Sequence, residues 1–412
     1  MSKMKPEVGF EEYKSGWQKV KLGDVVEQGK SYPLTRSVQT NDDTGFRYVH
    51  YGDIHTKSSG VFLTDSDLPT ITPDSYYTLK KGDIVIADAS EDYEGIGKPS
   101  VINFEPRESI VAGLHTIVLK PKVESIYPLF LYYVLTSNLY KEFMKVKATG
   151  AKVLGISYTH LKEYEFYIPG LTEQREISSF IFNHESRMDD LTKKYEKLKQ
   201  FRQAVLQKMF PKEGERYPRL RFAGFTDAWE QRKLGDIGDI ITGSTPSTQI
   251  ADYYSDDGIP WVTPTDISEN ITYNTEKRLS IEGQKVGRVV PKNTILITCI
   301  ASIGKNTMLG TKGSFNQQIN GLIPNEDKMD PYFLFTESTL WSLKMKKSAS
   351  AGTMQIVNKT EFSSLTTMVP GLNEQTKIGK FFKQLDNLIT LHQRELEKLK
   401  QLKQAMLQKM FV

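Results

Sequence analysis

The sequence predicts an α+β chain of two duplicated globular α/β halves, separated by two long helices that form an antiparallel coiled coil. Segments recur at a spacing of about 200 residues, too long for a solenoid and right for duplication of a whole domain. Each half carries short β-branched runs broken by Gly, Pro, Asn and Asp, and each half closes on a heptad pattern. With 412 residues, 38% hydrophobic and 25% charged, the chain has material for two or three cores.

The repeat is legible in ordered anchors. Residues 169–178 read PGLTEQREIS and residues 370–379 read PGLNEQTKIG, and QKMF follows 38 residues after each proline, at Gln207–Phe210 and Gln408–Phe411. Both pairs are 201 residues apart, so the helical segment repeats without insertion. Upstream, WQKVKLGD from Trp17 matches WEQRKLGD from Trp229, and RYVHYGDI (Arg47–Ile54) aligns with PWVTPTDI (Pro260–Ile267). IGK recurs at Ile96–Lys98 and Ile303–Lys305, and PLFLY (Pro128–Tyr132) resembles PYFLF (Pro331–Phe335). The expected boundaries are a globular domain over 1–172, a helix over 173–210, a linker and second domain over 211–372, and a second helix over 373–412.

DIVIAD (Asp83–Asp88), HTIVLK (His115–Lys120) and TILIT (Thr294–Thr298) read as strands. PLFLYYVLTSNLYKEFMKVK and PYFLFTESTLWSLKMKK read as one amphipathic helix per half, each entered through proline. In the first long helix the seam is Ile181, His184, Met188, Leu191, Tyr195, Leu198, Arg202, Val205 and Met209. In the second it is Phe382, Leu385, Ile389, His392, Leu396, Leu399, Lys403, Met406 and Met410. Steps of three and four held for four heptads are the coiled-coil pattern. A helix from Glu173 to Met209 is ~55 Å long. Thr172 and Asn373 stand where a cap is expected. Ile177, Phe180, Phe201, Ile378, Phe381, Leu388 and Leu402 widen the stripe beyond one seam, leaving surface for a further partner helix.

Motifs for independent chemistry are missing. The IGK sites lack a phosphate loop, because Asp92 and Cys299 stand where its first glycine belongs. No Asn/Asp-Pro-Pro-aromatic tetrapeptide occurs, and DPYF (Asp330–Phe333) is expected to cap a helix. Glu326-Asp327-Lys328 has nuclease-like spacing without a preceding acid, and six scattered histidines offer no ligand pair, so no metal site is expected. His184 and His392, on the stripe, read as structural. Cys299 is the single cysteine, no apolar run is long enough for a membrane helix, and MSKMKPEVGF lacks a secretion leader; a cytoplasmic location is expected.

Charge is distributed unevenly. Gly283–Asn325, 43 residues, contains no Asp or Glu but holds Lys285, Arg288, Lys292, Lys305 and Lys312. Ser338–Thr360 and Phe143–Lys162 are also acid-free and lysine-bearing. Lysines interleaved with Ser, Thr, Asn, Gln and Gly suit a phosphate-contacting surface, against the plainer reading of a solvated basic face. DASEDYEG (Asp88–Gly95) is acidic where the second half is basic, which suggests a shared scaffold reading different sequences.

Taken together, the chain resembles the DNA specificity subunits of type I restriction-modification enzymes. The resemblance rests on the WxxxKLGD openings, TGSTPST (Thr242–Thr248), GIPWVTPTDI (Gly258–Ile267), FNQQINGLIP (Phe315–Pro324), the P-G-L-x-E-Q helix entries and PRLRFAGFTDAWEQRKLGD (Pro218–Asp236). It spans essentially the whole chain, although the first half has KSYPLTR (Lys30–Arg36) in place of TGSTPST. The resemblance implies two target-recognition domains, each reading half of an interrupted asymmetric site on double-stranded DNA. It implies a coiled coil that sets the spacing and docks two adenine-N6 methyltransferase subunits, with restriction and translocase subunits completing the enzyme. This chain would be non-catalytic and bind no cofactor, with SAM, ATP and Mg on the partners. The competing readings are a coiled-coil adaptor that ignores DNA, opposed by the acid-free runs, and a self-contained methyltransferase or nuclease, opposed by the missing motifs.

Candidate phosphate contacts are Lys147 and Lys152, Lys346 and Lys347, beside the small-residue loops TGA and SASAGT, followed by the paired Lys98 and Lys305. Candidates for base-edge readout are Arg36, Lys57, Thr245, Gln317 and Gln318.

Overall fold

The structure, a computed structural model, describes residues 16–56, 60–350 and 356–411, without the side chains of 348–350. Two units divide it: one from the first globular half through Thr192 together with Glu395 onward, the other Lys193–Arg394.

The β-branched runs form the same sheet twice. In the first unit five strands lie in the order Val26–Gln28, Thr116–Pro121, Ile84–Ala87, Pro99–Ile102 and Val61–Phe62. In the second the order is Gly238–Thr242, Ile319–Pro324, Ile295–Thr298, Asn306–Leu309 and Ile271–Thr272. The first three pairings are antiparallel and the last parallel in both. A second, parallel strand pair also recurs: Phe46–Val49 with Ser109–Ala112, and the end of Tyr254–Val262 with Gly313–Phe315. Side chains such as Ile84, Ile86 and Leu119, or Ile295, Ile297 and Leu322, are fully buried, which is why these runs are almost continuously apolar.

An antiparallel ribbon joins each half to its helix, pairing Gln18–Lys21 with Glu165–Ile168 and Glu230–Lys233 with Thr366–Val369. The helices follow at Leu171–Met209 and Leu372–Lys409, 39 and 38 residues. Both begin before the expected caps, so Thr172 and Asn373 fall inside the first turn. The repeated glutamine secures the start instead. Gln174 Nε2 donates to Pro169 O (2.9 Å) while its Oε1 accepts from Tyr127 N (2.8 Å). Gln375 does the same with Pro370 O (2.8 Å) and Asp330 N (3.0 Å). The preceding glutamate is buried in both copies, Glu173 accepting from the Trp17 indole and Glu374 from the Arg221 guanidinium.

The inner helices differ from the single helix expected in each half. In the second half it is continuous over Pro331–Ser350, and Asp330 Oδ1 caps Phe333 N (2.8 Å) as anticipated. In the first it breaks into Pro128–Val134 and Asn138–Lys147, because Ser137 turns its hydroxyl onto Tyr140 N and starts a new helix.

In each unit a segment of one long helix packs antiparallel against a segment of the other. In the first, His184 Nε2 bonds Leu399 O (2.9 Å), Arg187 meets Glu395 (2.6 Å) and Lys403 meets Glu185 (2.6 Å). Glu185 also accepts from Tyr133 OH (2.6 Å). In the second, Arg202 forks onto buried Asp386, which also accepts from Tyr332 OH (3.0 Å). The seam residues Ile181, Leu191, Val205, Phe382, Leu385, Leu396, Leu399 and Met406 are buried, with Met188, Leu198 and Ile389 partly so. The QKMF repeats close the cores: Phe411 packs on Phe130 in the first unit, and Phe210 on Trp229 and Phe333 in the second.

Two outcomes follow from these buried groups. Asp386→Ala strips Arg202 and Tyr332 of their shared acceptor and should cost about 3–5 kcal/mol in denaturant unfolding. Arg202→Met with Asp386→Leu should recover much of that, whereas a single-variant loss below about 1 kcal/mol would mean that the pair locks nothing. The buried Glu337 carboxyl accepts from Met368 N (3.2 Å), and burial pushes its pKa up from 4.5 to about 8. The unfolded chain releases this proton first, so stability should fall as pH rises between those values, on the order of a few kcal/mol. Glu337→Gln should flatten that slope in unfolding titrations, and an unchanged slope would assign it to other groups.

Candidate nucleic-acid interface

Loops at one end of each five-stranded sheet gather the polar residues singled out above. In the first half, strand Ile84–Ala87 runs into Asp88 and the turn to Lys98, and strand Thr116–Pro121 is preceded by His115. His115 adopts a left-handed backbone (φ 55°) and its carbonyl accepts from Asp88 N (3.1 Å). Its ring Nδ1 lies 3.2 Å from the Asp88 carboxylate, whose pKa is raised by burial and partly restored by the imidazole. Tyr51 touches the rings of His50, His55 and His115, with centroids 4.5, 5.7 and 5.4 Å away. Tyr51, His55, Ser90, Glu91, Lys98 and His115 line a cavity of about 590 Å³, and an adjoining one of about 460 Å³ reaches Thr149 and His160.

The second half builds the same frame with other side chains. Cys299 N donates to Gln318 O (2.8 Å), as Asp88 N does to His115 O. Gly304 N bonds Thr298 O (2.9 Å), as Gly97 N bonds Ala87 O (2.9 Å), and both glycines hold positive φ. A side chain at either would be strained and would collide, at Gly97 with Met144 and at Gly304 with Ser342 O. The IGK glycine therefore sets the lysine that follows it. Lys98 Nζ donates to His55 O (3.1 Å), and Lys305 Nζ reaches Pro264 O (3.3 Å), on equivalent segments. Burial, then the charge of Lys141, lowers the Lys98 pKa.

Thr245 donates to Gln317, and the loop carrying it is held where Trp261 Nε1 donates to Ser244 O (3.0 Å) and Tyr254 OH to Pro246 O (2.7 Å). A Cβ on Gly243 would lie 2.1 Å from Asn316 O, so this loop can approach Gln317 only with glycine there. Gln318 Oε1 accepts from Asn316 Nδ2 (3.2 Å). Arg36 is forked onto Asp53 at 3.0 and 3.3 Å, on the Tyr51–Thr56 helix that also carries His55. Lys152 is exposed beside Val153, which lines both cavities. Lys147 is paired with Glu163 at 2.6 Å. Lys346 and Lys347 are exposed on the inner helix, and the Lys346 stem runs against Gly304. Lys57 and residues 351–353 of the SASAGT loop lie outside the described residues.

The acid-free runs are less basic in space than along the chain. Lys145 pairs with Glu142, Lys147 with Glu163 and Lys285 with Glu282, each acid standing just beyond the run. The Tyr51–His115 cluster was not anticipated, since its members are spread over 65 positions, from His50 to His115, and only the turn geometry assembles them. A cavity of about 1000 Å³ beside Phe210, Trp341 and Glu337 contains none of the candidates. Among the described residues, no cluster of three metal-binding side chains occurs, and no helix is long and apolar enough to cross a membrane.

A family model described as the type I restriction modification DNA specificity domain matches residues 14–200 and again 226–401. The chain belongs to the type I restriction-modification specificity family. Among its relatives, a Methanocaldococcus jannaschii protein carrying the name MjaX specificity subunit is 24% identical, over 98% of this chain and 94% of its own length. The HindI specificity subunit of Haemophilus influenzae is 22% identical over 91% and 95%. The crystal structure of the S subunit from M. genitalium has a TM-score of 0.68 at 16% identity, covering 99% of both chains, a likeness of fold. The two matched segments coincide with the two copies of the sheet and helix described above, so each globular half is a specificity domain.

For this family the lysine environments separate the candidates. Lys152→Ala should weaken DNA binding alike across sequences and lower the salt slope by ~1. Lys147→Ala should do less, because Glu163 already neutralises it. Equal effects in a salt titration would show that the Glu163 pair opens on DNA.

Proposed function

We propose that this specificity subunit reads an interrupted, asymmetric site on double-stranded DNA, one half-site per globular half. The carrying observation is that the two halves share strand order and loop hydrogen bonds while presenting different side chains at the same places: His115 against Gln318, and the Asp88–Gly95 turn against the Cys299–Gly304 turn. A common scaffold with exchanged reading groups is what two different half-sites require. The antiparallel helices set the spacing between the half-sites. They also dock two adenine-N6 methyltransferase subunits, for which exposed Phe180 and Leu402, and Phe201, Leu388 and Leu391, offer apolar surface. Restriction and translocase subunits complete the assembly. In this reading the chain is non-catalytic, and SAM, ATP and Mg belong to the partners.

The test is a map of methylated adenines on DNA from a strain without its own adenine methylation, expressing the chain with the methyltransferase subunit of its system. One two-part motif, absent when this chain is omitted, is the expected result. An assembled complex whose methylation does not depend on this chain would favour an adaptor that ignores DNA.

A further inference from the structure

The position just before the second strand of each five-stranded sheet is the same in both halves and differs in chemistry. His115 immediately precedes Thr116–Pro121, and Gln318 immediately precedes Ile319–Pro324. Each carbonyl is tied to the residue leaving the neighbouring strand, Asp88 or Cys299, so the two residues hold corresponding positions, with His115 alone in the left-handed region. Both types present hydrogen-bonding groups suited to base edges, unlike their apolar neighbours Leu114 and Ile319.

His115 is also oriented. An ionised carboxylate only accepts, so the Asp88 contact at 3.2 Å places the proton of a neutral imidazole on Nδ1 and makes Nε2 an acceptor. Tyr51 sets the ring from a second side, edge-on at 85°. The side chain is nonetheless 48% exposed and lines the cavity. Three of the four acids of the adjoining turn have internal partners. Asp88 holds His115, Asp92 accepts from Gly95 N (2.7 Å), and Glu94 pairs with Lys141 (2.8 Å). By contrast, His55 points Nε2 at Ala89 O (3.2 Å) and packs on Gly95, which makes it a support for the turn.

We infer that His115, with Asp88 as its positioning residue, determines specificity in the first half by contacting a base edge of the DNA, and that Gln318 occupies the corresponding reading position in the second. The inference rests on the reading that each half recognises its own half-site. With its proton on Nδ1, the ring offers Nε2 to the exocyclic amino group of adenine or cytosine in the major groove.

The experiment maps methylated motifs for the assembled complex carrying the wild-type chain, His115→Asn, Asp88→Asn or Gln318→Asn. Asparagine suits the left-handed backbone at 115 while withdrawing the imidazole. Asp88→Asn leaves the backbone alone and removes the orienting charge. Both should relax discrimination at one position of one half-motif by about tenfold or more, leaving the other half intact, and Gln318→Asn should alter only that other half. A fall in methylation level with the motif unchanged, or no change in both His115→Asn and Asp88→Asn, overturns the inference. A wild-type complex that gives no two-part motif overturns the reading beneath it instead.

Discussion

The architecture depends on the register in which the two long helices meet. A heptad seam of Leu, Ile, Val and Met fixes that helices pair but tolerates a slip, because one apolar knob resembles the next. Charged side chains inside the stripe remove that freedom. Glu185 and Asp386 stand 201 residues apart, and so do Arg202 and Lys403. In one unit the acid of the first helix meets the base of the second, and in the other unit the acid of the second meets the base of the first. Duplication thus supplied both halves of two locks at once. A shift of register would bury Asp386 without Arg202, a far larger penalty than the loss of an exposed pair.

Around that lock, the duplicated chain separates what must stay constant from what is free to vary. The strand order, the Gln174 and Gln375 ties, the IGK glycines and the QKMF phenylalanines all serve packing or backbone geometry. They recur because the cores admit few substitutes. Around these fixed glycines at the sheet ends the halves diverge, with a tyrosine–histidine cluster in one and a threonine–glutamine pair in the other. A surface that reads sequence needs this arrangement, in which reading groups change while their anchoring hydrogen bonds do not.

The sequence exposed periodic features well and assembled features poorly. The seam from Ile181 to Met410 follows from spacing alone, and the duplicated layout from anchors in order. The helix starts were misjudged because Thr172 and Asn373 look like caps, while the glutamine two residues on acts through tertiary partners, Tyr127 and Asp330, that no local pattern reveals. The break at Ser137 is a contest between continuing a helix and capping a new one, and the two halves resolve it differently. Lysine runs overstate basic surface because Glu142, Glu163 and Glu282 fold back onto them. Arg36 looked available for bases, yet Asp53, 17 positions away, holds it. His115 reads in the sequence as one of six scattered histidines, since only the pairing of the sheet places it opposite Asp88, where Gln318 stands opposite Cys299.

The closing of each core by the other repeat's helix end has a further consequence. Met406, Met410 and Phe411 belong to the core around Trp17 and Phe130, while Val205, Met209 and Phe210 belong to that around Trp229 and Phe333. Neither globular half completes its own hydrophobic interior, so a boundary drawn at the end of the first helix cuts through packing, not between domains. Leaving such aromatic positions open costs a few kcal/mol apiece, of the same order as a domain's whole margin of stability. Interdependence in folding is thus a consequence of the duplication, since the helix end of each repeat closes the core of the other.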